Sequence, residues 1–145
     1  MRFGTLFALA LIAVPMPLSI AARAAAPCVA DFTAFIARFE ADTAFQRLNT
    51  QYPLAYSFIE KAPEQKPRTV SLALSRAQAL NYAGLDFPSA DRQASIPLLR
   101  GLKCGTPNAC VVSFDKRGSD SDSLRFSFGV RKGCWRLVGV ADASL

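Results

Sequence analysis

From Asp31 onward the bulky apolar residues fall first at helical and then at strand spacing. Phe32, Phe35, Ile36 and Phe39 stand at i, i+3, i+4 and i+7, which places four large side chains on one face of an amphipathic helix. Arg38, Glu40 and Asp42 fall largely on the other face. Asp31 is positioned to cap this helix, which should run to about Ala41. Asp42 then opens a second short turn carrying Phe45 and Leu48, with Asn49 as its stop. From Tyr52 to Phe58 bulky and small residues alternate with period two, the pattern of a strand. Pro53 near its start predicts an edge strand or a strand beginning.

The polar stretch 61–68, KAPEQKPR, separates this strand from a second alternation in Val70, Leu72 and Leu74. Ser75 followed three residues later by Gln78 reads as a capping box that opens a short helix, which Gly84 can end. Residues 85–108 contain three prolines and no sustained period, so an irregular excursion stapled by a disulfide is expected there. Regularity returns with Cys110, Val112 and Phe114, and again with Leu124, Phe126, Phe128 and Val130. Lys132-Gly133 suits a two-residue hairpin turn, because glycine accepts the positive φ such turns demand. If Arg131 pairs with Cys134, then Val130 faces Trp135, Phe128 faces Leu137 and Phe126 faces Gly139. That register gathers the large apolar residues on one face and Arg125, Ser127, Arg131 and Arg136 on the other, and a one-residue slip would invert it. Helices first and strands last give an α+β domain.

The N-terminus reads differently. Arg2, the apolar run Phe3 to Ala22 and the small-x-small pattern Ala22-Arg23-Ala24 make residues 1–24 a secretory signal peptide cleaved after Ala24. A membrane anchor has the length on its side, but Pro15, Pro17 and the small-residue exit argue for removal. A lipid anchor on Cys28 is disfavoured by Pro27 in the preceding position. Removal leaves a single domain over 25–145, 121 of the 145 residues, which is of ordinary size. The 17 cations fall to 15 when Arg2 and Arg23 leave, and against 11 anions the net charge becomes +4. Such a mildly basic protein favours anionic partners such as envelope polymers and lacks a nucleic-acid signature.

All four cysteines, Cys28, Cys104, Cys110 and Cys134, belong to the mature chain, an even number suited to two disulfides in the periplasm or outside the cell. Zinc is disfavoured, since the chain has no histidine and the spacings are not those of paired ligands. In the register above Cys134 and Cys110 point to opposite sides of the sheet, which disfavours that pair. Of the two connectivities left, Cys104 with Cys110 and Cys28 with Cys134 is preferred, because Gly105-Thr106-Pro107-Asn108 is a turn-rich spacer.

The helical pattern FxxFIxxFxxDxxFQ followed by YPL, together with RFSFGVRKGCWRLVGVAD, resembles a family of small exported bacterial domains of unknown function similar in fold to nuclear transport factor 2. The matching positions are Phe32, Phe35, Phe39, Asp42, Phe45, Gln46, Pro53 and Leu54, then Phe126, Phe128, Gly133, Trp135 and Leu137. The resemblance covers about a third of the mature chain and implies an N-terminal helix packed in a curved antiparallel sheet that forms a cone. The four cysteines depart from the family, and the lipid anchor of many of its members does not carry over. Folds of this type host isomerases, dehydratases, ligand carriers and interaction modules, so function stays open.

The absence of histidine excludes His-assisted nucleophiles and the Asp-His pairing of dehydratases of this fold. Asp115, Asp120, Asp122 and Asp142 are expected at strand ends or in loops as solvated charges. Asp86 is expected in a turn before Pro88, with projection into a pocket as the alternative. Residues 115–123 lack a glycine at the offset a calcium loop requires and its distal glutamate, and Lys116 and Arg117 oppose cation binding. No catalytic residue, cofactor or metal is therefore assigned. Tyr52, Tyr56, Phe58 and Trp135 are candidate pocket lining, with core packing as the competing role. Arg125, Arg131, Lys132 and Arg136 are a candidate anion-binding face, against a merely solvated sheet face; Lys116 and Arg117 lie on the same hairpins. The reading is a non-catalytic periplasmic or secreted module that binds a protein partner or envelope component, with an inhibitor or immunity protein as one version. The alternative is a small-molecule binder or weak acid-base enzyme using the cone. Neither nucleic acid nor a membrane span after signal removal is expected.

Overall fold

The computed structural model describes residues 27–64, 66–82, 85–96, 98–118 and 123–144. The expected leader and its cleavage point lie outside these residues, as do Gly84, Asp120 and Asp122.

Helix α1 spans Phe32–Ala41, and the Asp31 carboxylate accepts the Ala34 N–H at 2.7 Å, so the expected cap forms. Asp42 ends α1 and caps α2 (Thr43–Leu48), accepting the N–H groups of Ala44 and Phe45 at 2.9 and 3.0 Å. Then follow β1 (Thr50–Glu60), β2 (Arg68–Leu74), α3 (Arg76–Asn81), α4 (Ala90–Ser95), β3 (Leu98–Thr106), β4 (Ala109–Lys116), β5 (Ser123–Arg131) and β6 (Cys134–Asp142). The Ser75/Gln78 capping box opens α3, which ends at Asn81 with Tyr82 as its C-cap.

The strands form one curved, unclosed sheet in the order β2-β1-β6-β5-β4-β3. Four of its pairings are antiparallel, and β1 and β6 run parallel. Strand β1 is therefore interior, with a neighbour on each side, and not an edge. Pro53 is tolerated because pairing with β2 begins at Leu54 and the register to β6 shifts between Thr50 and Ala55. A residue without an N–H thus falls outside both ladders.

The C-terminal hairpin turns at Lys132-Gly133, whose φ angles of 52° and 77° are both positive. Val130 faces Trp135 and Phe128 faces Leu137, but Phe126 faces Val140 and not Gly139. The register shifts at Val138, which has no partner on β5. This bulge brings Val140 to the core side and turns Gly139 outward, a change of phase that strict alternation could not show.

Residues 85–108 are more regular than their composition suggests, since they hold α4 and the nine-residue strand β3. As the sheet's outer strand β3 leaves both faces largely in water, with Leu99 47% and Leu102 51% exposed, so burial imposed no alternation on its sequence. Phe87, in the same stretch, is buried core.

Helix α1 lies against the inner face of the sheet. Phe35, Phe39 and Phe45 from the helices meet Cys110, Val112 and Phe114 of β4, Phe126 and Phe128 of β5, and Leu137 and Val140 of β6. The segment before α1 is laid on the start of β6: the Trp135 backbone N–H donates to Val29 O at 3.1 Å and its indole N–H to Ala30 O at 2.8 Å. Disulfides join Cys28 to Cys134 beside this contact and Cys104 to Cys110 across β3 and β4. Arg100 on β3 reaches Glu40 of α1 at 2.8 Å and fixes the far end of the helix.

Candidate functional site

The interior of the cone is occupied by rings. Phe87 sits 5.4 Å from Phe39, 5.2 Å from Phe114 and 4.8 Å from Phe126, centroid to centroid, each with steeply inclined planes. Phe128 contacts Phe35 and Phe39 at 5.7 and 5.3 Å in the same edge-to-face manner. These separations are those of favourable aromatic packing, so the centre of the cone is a solid plug.

The four candidate lining residues do not share a pocket. Trp135 is 3% exposed and packs its ring on Phe32 at 4.7 Å. Tyr52 borders a small cavity between α2, β1 and α3 of about 170 Å³, which Leu54, Tyr82 and Asp86 also line. Tyr56 and Phe58 stack at 5.6 Å, and the Tyr82 ring meets Tyr56 edge-on at 5.3 Å.

Asp142 stands at a strand end, as expected, but is not fully solvated there. It is the last residue of β6, half-buried, at the register positions of Phe58 and Leu124 on the inner face. Its carboxylate accepts the Ser144 N–H at 2.9 Å. Burial first, then the charge of Asp142 and the neighbouring Tyr82, hold the Tyr56 phenol above its ordinary pKa of 10.0. Tyr56 is thus a buried hydroxyl one register step of two residues from the Asp142 carboxylate. Sequence reasoning missed this pair because the bulge at Val138 sets the facing of everything beyond it.

The candidate anion-binding face also divides. Arg131 donates to Gln51 Oε1 at 3.0 Å and to Val130 O at 3.0 Å. Arg136 donates to Leu48 O at 3.0 Å and to Asn49 Oδ1 at 2.7 Å, placing a cation on the carbonyl end of α2, where the helix dipole favours it. Both guanidinium groups are committed to the fold. Lys132 stands exposed in the turn, and Arg125 lies six residues from Arg131 along β5, on the order of 20 Å away.

Arg125 belongs instead to the outer face of the sheet. There Ser71, Ser57, Ala141, Arg125, Ser113 and Gly101 stand in one row across all six strands. The adjacent row is Ala73, Ala55, Gly139, Ser127, Val111 and Lys103. Small side chains leave a shallow trough of about 480 Å³ over β3 to β6, bordered by Lys103, Asp115 and Arg125. A separate cavity of about 160 Å³ lies under α4, where the ends of β3, β4 and β5 meet; Asp86 is on its wall. Asp86, which is exposed, thus borders two cavities. Among the described residues no cluster of three metal-ligating side chains occurs.

No protein-family model matches the chain, and no curated protein is similar to it. Among solved structures, an NTF2-like protein from Bacteroides fragilis NCTC 9343 superposes with a TM-score of 0.56 at 17% identity, over 79% of this chain and 47% of that one. The fold is NTF2-like. The chain spans about half the length of that structure. A protein of unknown function from the DUF3225 family of Pectobacterium atrosepticum SCRI1043 matches at a TM-score of 0.42 and 16% identity, over 79% of this chain and 84% of that one. In NTF2-like terms, α1 is the helix inside the cone and the aromatic plug fills it.

Proposed function

We propose that this chain is a non-catalytic module, exported to the periplasm or beyond the cell, that binds a protein partner or an anionic envelope component. An inhibitor or immunity protein is one concrete version. The observation that carries the reading is the filled cone: Phe35, Phe39, Phe126 and Phe128 are at most 1% exposed and occupy the space an enclosed substrate would need. Two disulfides fit an oxidising compartment, and among the described residues no helix is long and apolar enough to cross a membrane. The outer sheet face offers the docking surface, since its small side chains permit close approach while Arg125 and Lys103 favour an acidic partner.

The test places a photo-reactive residue at Ser113 on that face and, separately, at Lys61 in the connection after β1. One discrete crosslinked partner in envelope extracts from Ser113 alone, lost on Arg125→Glu, is expected. Equal crosslinking from both positions would sink the reading. A second reading, a small-molecule binder or weak acid-base site, is supported by the inward-facing Asp142 beside Tyr56. A saturable NMR perturbation of both residues by a neutral carbonyl compound would favour it over the first.

A further inference from the structure

Strand β3 is an outermost strand of the sheet and is paired only with β4. Directly opposed residues of an antiparallel pair alternate between hydrogen-bonded positions and closer, non-bonded ones. Cys104 and Cys110, with Cα atoms 4.0 Å apart, are a non-bonded pair. Counting back, Leu102 with Val112 and Arg100 with Phe114 are non-bonded as well. The bond from the Val130 N–H to Asn108 O sets the same phase from the β5 side. The backbone N–H and C=O groups of Arg100 and Leu102 therefore point away from β4 to the open edge, where no hydrogen bond among the described residues takes them.

Proteins usually blunt such an edge with a short strand, a proline, a bulge or a run of charge. From Leu98 to Cys104 the ladder has no register shift and no proline, and Leu99 and Leu102 are exposed on opposite faces. Arg100 is held by Glu40, and β3 carries no carboxylate. Its available charge is Lys103, which is exposed and in no ion pair among the described residues. The opposite edge, β2, is shorter, and its one cation, Arg68, is held by Glu60. The outer-face trough reaches β3 at Gly101, Leu102 and Lys103, so the docking face and this edge are continuous.

We infer that the partner docks by adding an extended segment to the free edge of β3, a segment in which apolar residues alternate with acidic ones. Main-chain bonds to Arg100 and Leu102 supply affinity, and alternate side chains supply specificity. One set of side chains lies beside Leu102 on the inner face. The other lies beside Lys103 and the trough that Arg125 borders, where acidic groups complement the charge. The inference rests on the partner-binding reading and names its mode of recognition.

The test titrates the protein with a capped eight-residue peptide of alternating valine and glutamate, followed by NMR and amide hydrogen exchange. Saturable binding is expected. Exchange at the Arg100 and Leu102 amides should slow with occupancy, while Gly101 and Lys103, already bonded to β4, change little. A peptide with lysine in place of glutamate should bind more weakly. Lys103→Gln should weaken the glutamate peptide roughly threefold, as for one exposed ion pair. Leu102→Pro removes only an N–H that faces the edge, a position where proline is tolerated, so it should keep the fold and weaken the peptide roughly tenfold. Unchanged exchange at Arg100 and Leu102 at saturation, or a preference for the lysine peptide, would overturn the inference. So would a dimer of the free protein in sedimentation that Leu102→Pro dissolves, since the occupant would then be a second copy. A partner captured from Ser113 as well by Leu102→Pro as by the parent would overturn the edge and leave the partner-binding reading standing.

Discussion

Phe35, Phe39 and Phe87 meet in the middle of the aromatic plug, each 5% exposed or less. Truncating any of them to alanine should cost about 3 to 5 kcal/mol, the range for emptying a buried phenylalanine site, in a domain with only about 5 to 15 kcal/mol in total. Denaturant midpoints measure this, and near-wild-type values for Phe87→Ala would detach residues 85–96 from the core. Asn49, fully buried, donates to Phe45 O at 2.9 Å and accepts from Arg136. Arg136→Ala should therefore cost about 1 to 3 kcal/mol by leaving that amide oxygen without a donor, with little recovery in Arg136→Lys. Tyr56 gives a pH signature. Its phenol is held above 10.0 in the folded state, so its contribution is complete below pH 10 and is lost as pH rises through the folded value. In Tyr56→Phe the decline in stability from pH 10 upward should be shallower than in the parent, as followed by denaturant titration at stepped pH.

At the scale of elements, what the sequence could show depended on whether local chemistry alone decided the outcome. Asp31, Asp42 and the Ser75/Gln78 box are local signals, and α1, α2 and α3 begin where they stand. The Lys132-Gly133 turn is likewise local, and the register next to it follows as far as Leu137. Beyond Val138 the bulge reversed the facing, and so concealed Asp142 as a neighbour of Tyr56. The strand β3 left no trace in its alternation because water covers much of both its faces. Pro53 suggested an edge or a strand beginning; it stands just before the ladder to β2 starts at Leu54, in a strand that lies inside the sheet. The cavity under α4 draws its walls from three strands, α4 and the segments beside them, a convergence that no spacing records. The two disulfides differ in what they tie: one spans 106 residues and the other 6. Replacing Cys28 and Cys134 with serine should cost about 2 to 4 kcal/mol, and replacing Cys104 and Cys110 roughly half as much, because loop-closure entropy grows with the loop. Thermal melts of the two double variants decide it, and equal losses would show that loop length does not set the stabilisation.

For the whole molecule, the parallel contact of β1 with β6 governs how the chain can reach its fold. Strand β1 finds its second neighbour some eighty residues later: Tyr56 pairs with Val140. The three pairings among β3 to β6 can close early, since each joins strands adjacent in sequence. The β1–β2 hairpin must wait for the final strand before its inner side chains, Leu54 and Tyr56, are covered. Sheets dominated by such distant pairings fold on the order of milliseconds to seconds. In that interval a chain emerging N-terminus first presents an uncovered β1 edge, and a chain shortened before β6 would present it indefinitely. The strand that closes the sheet thus also decides when the earlier half ceases to be a target for proteases and for other chains.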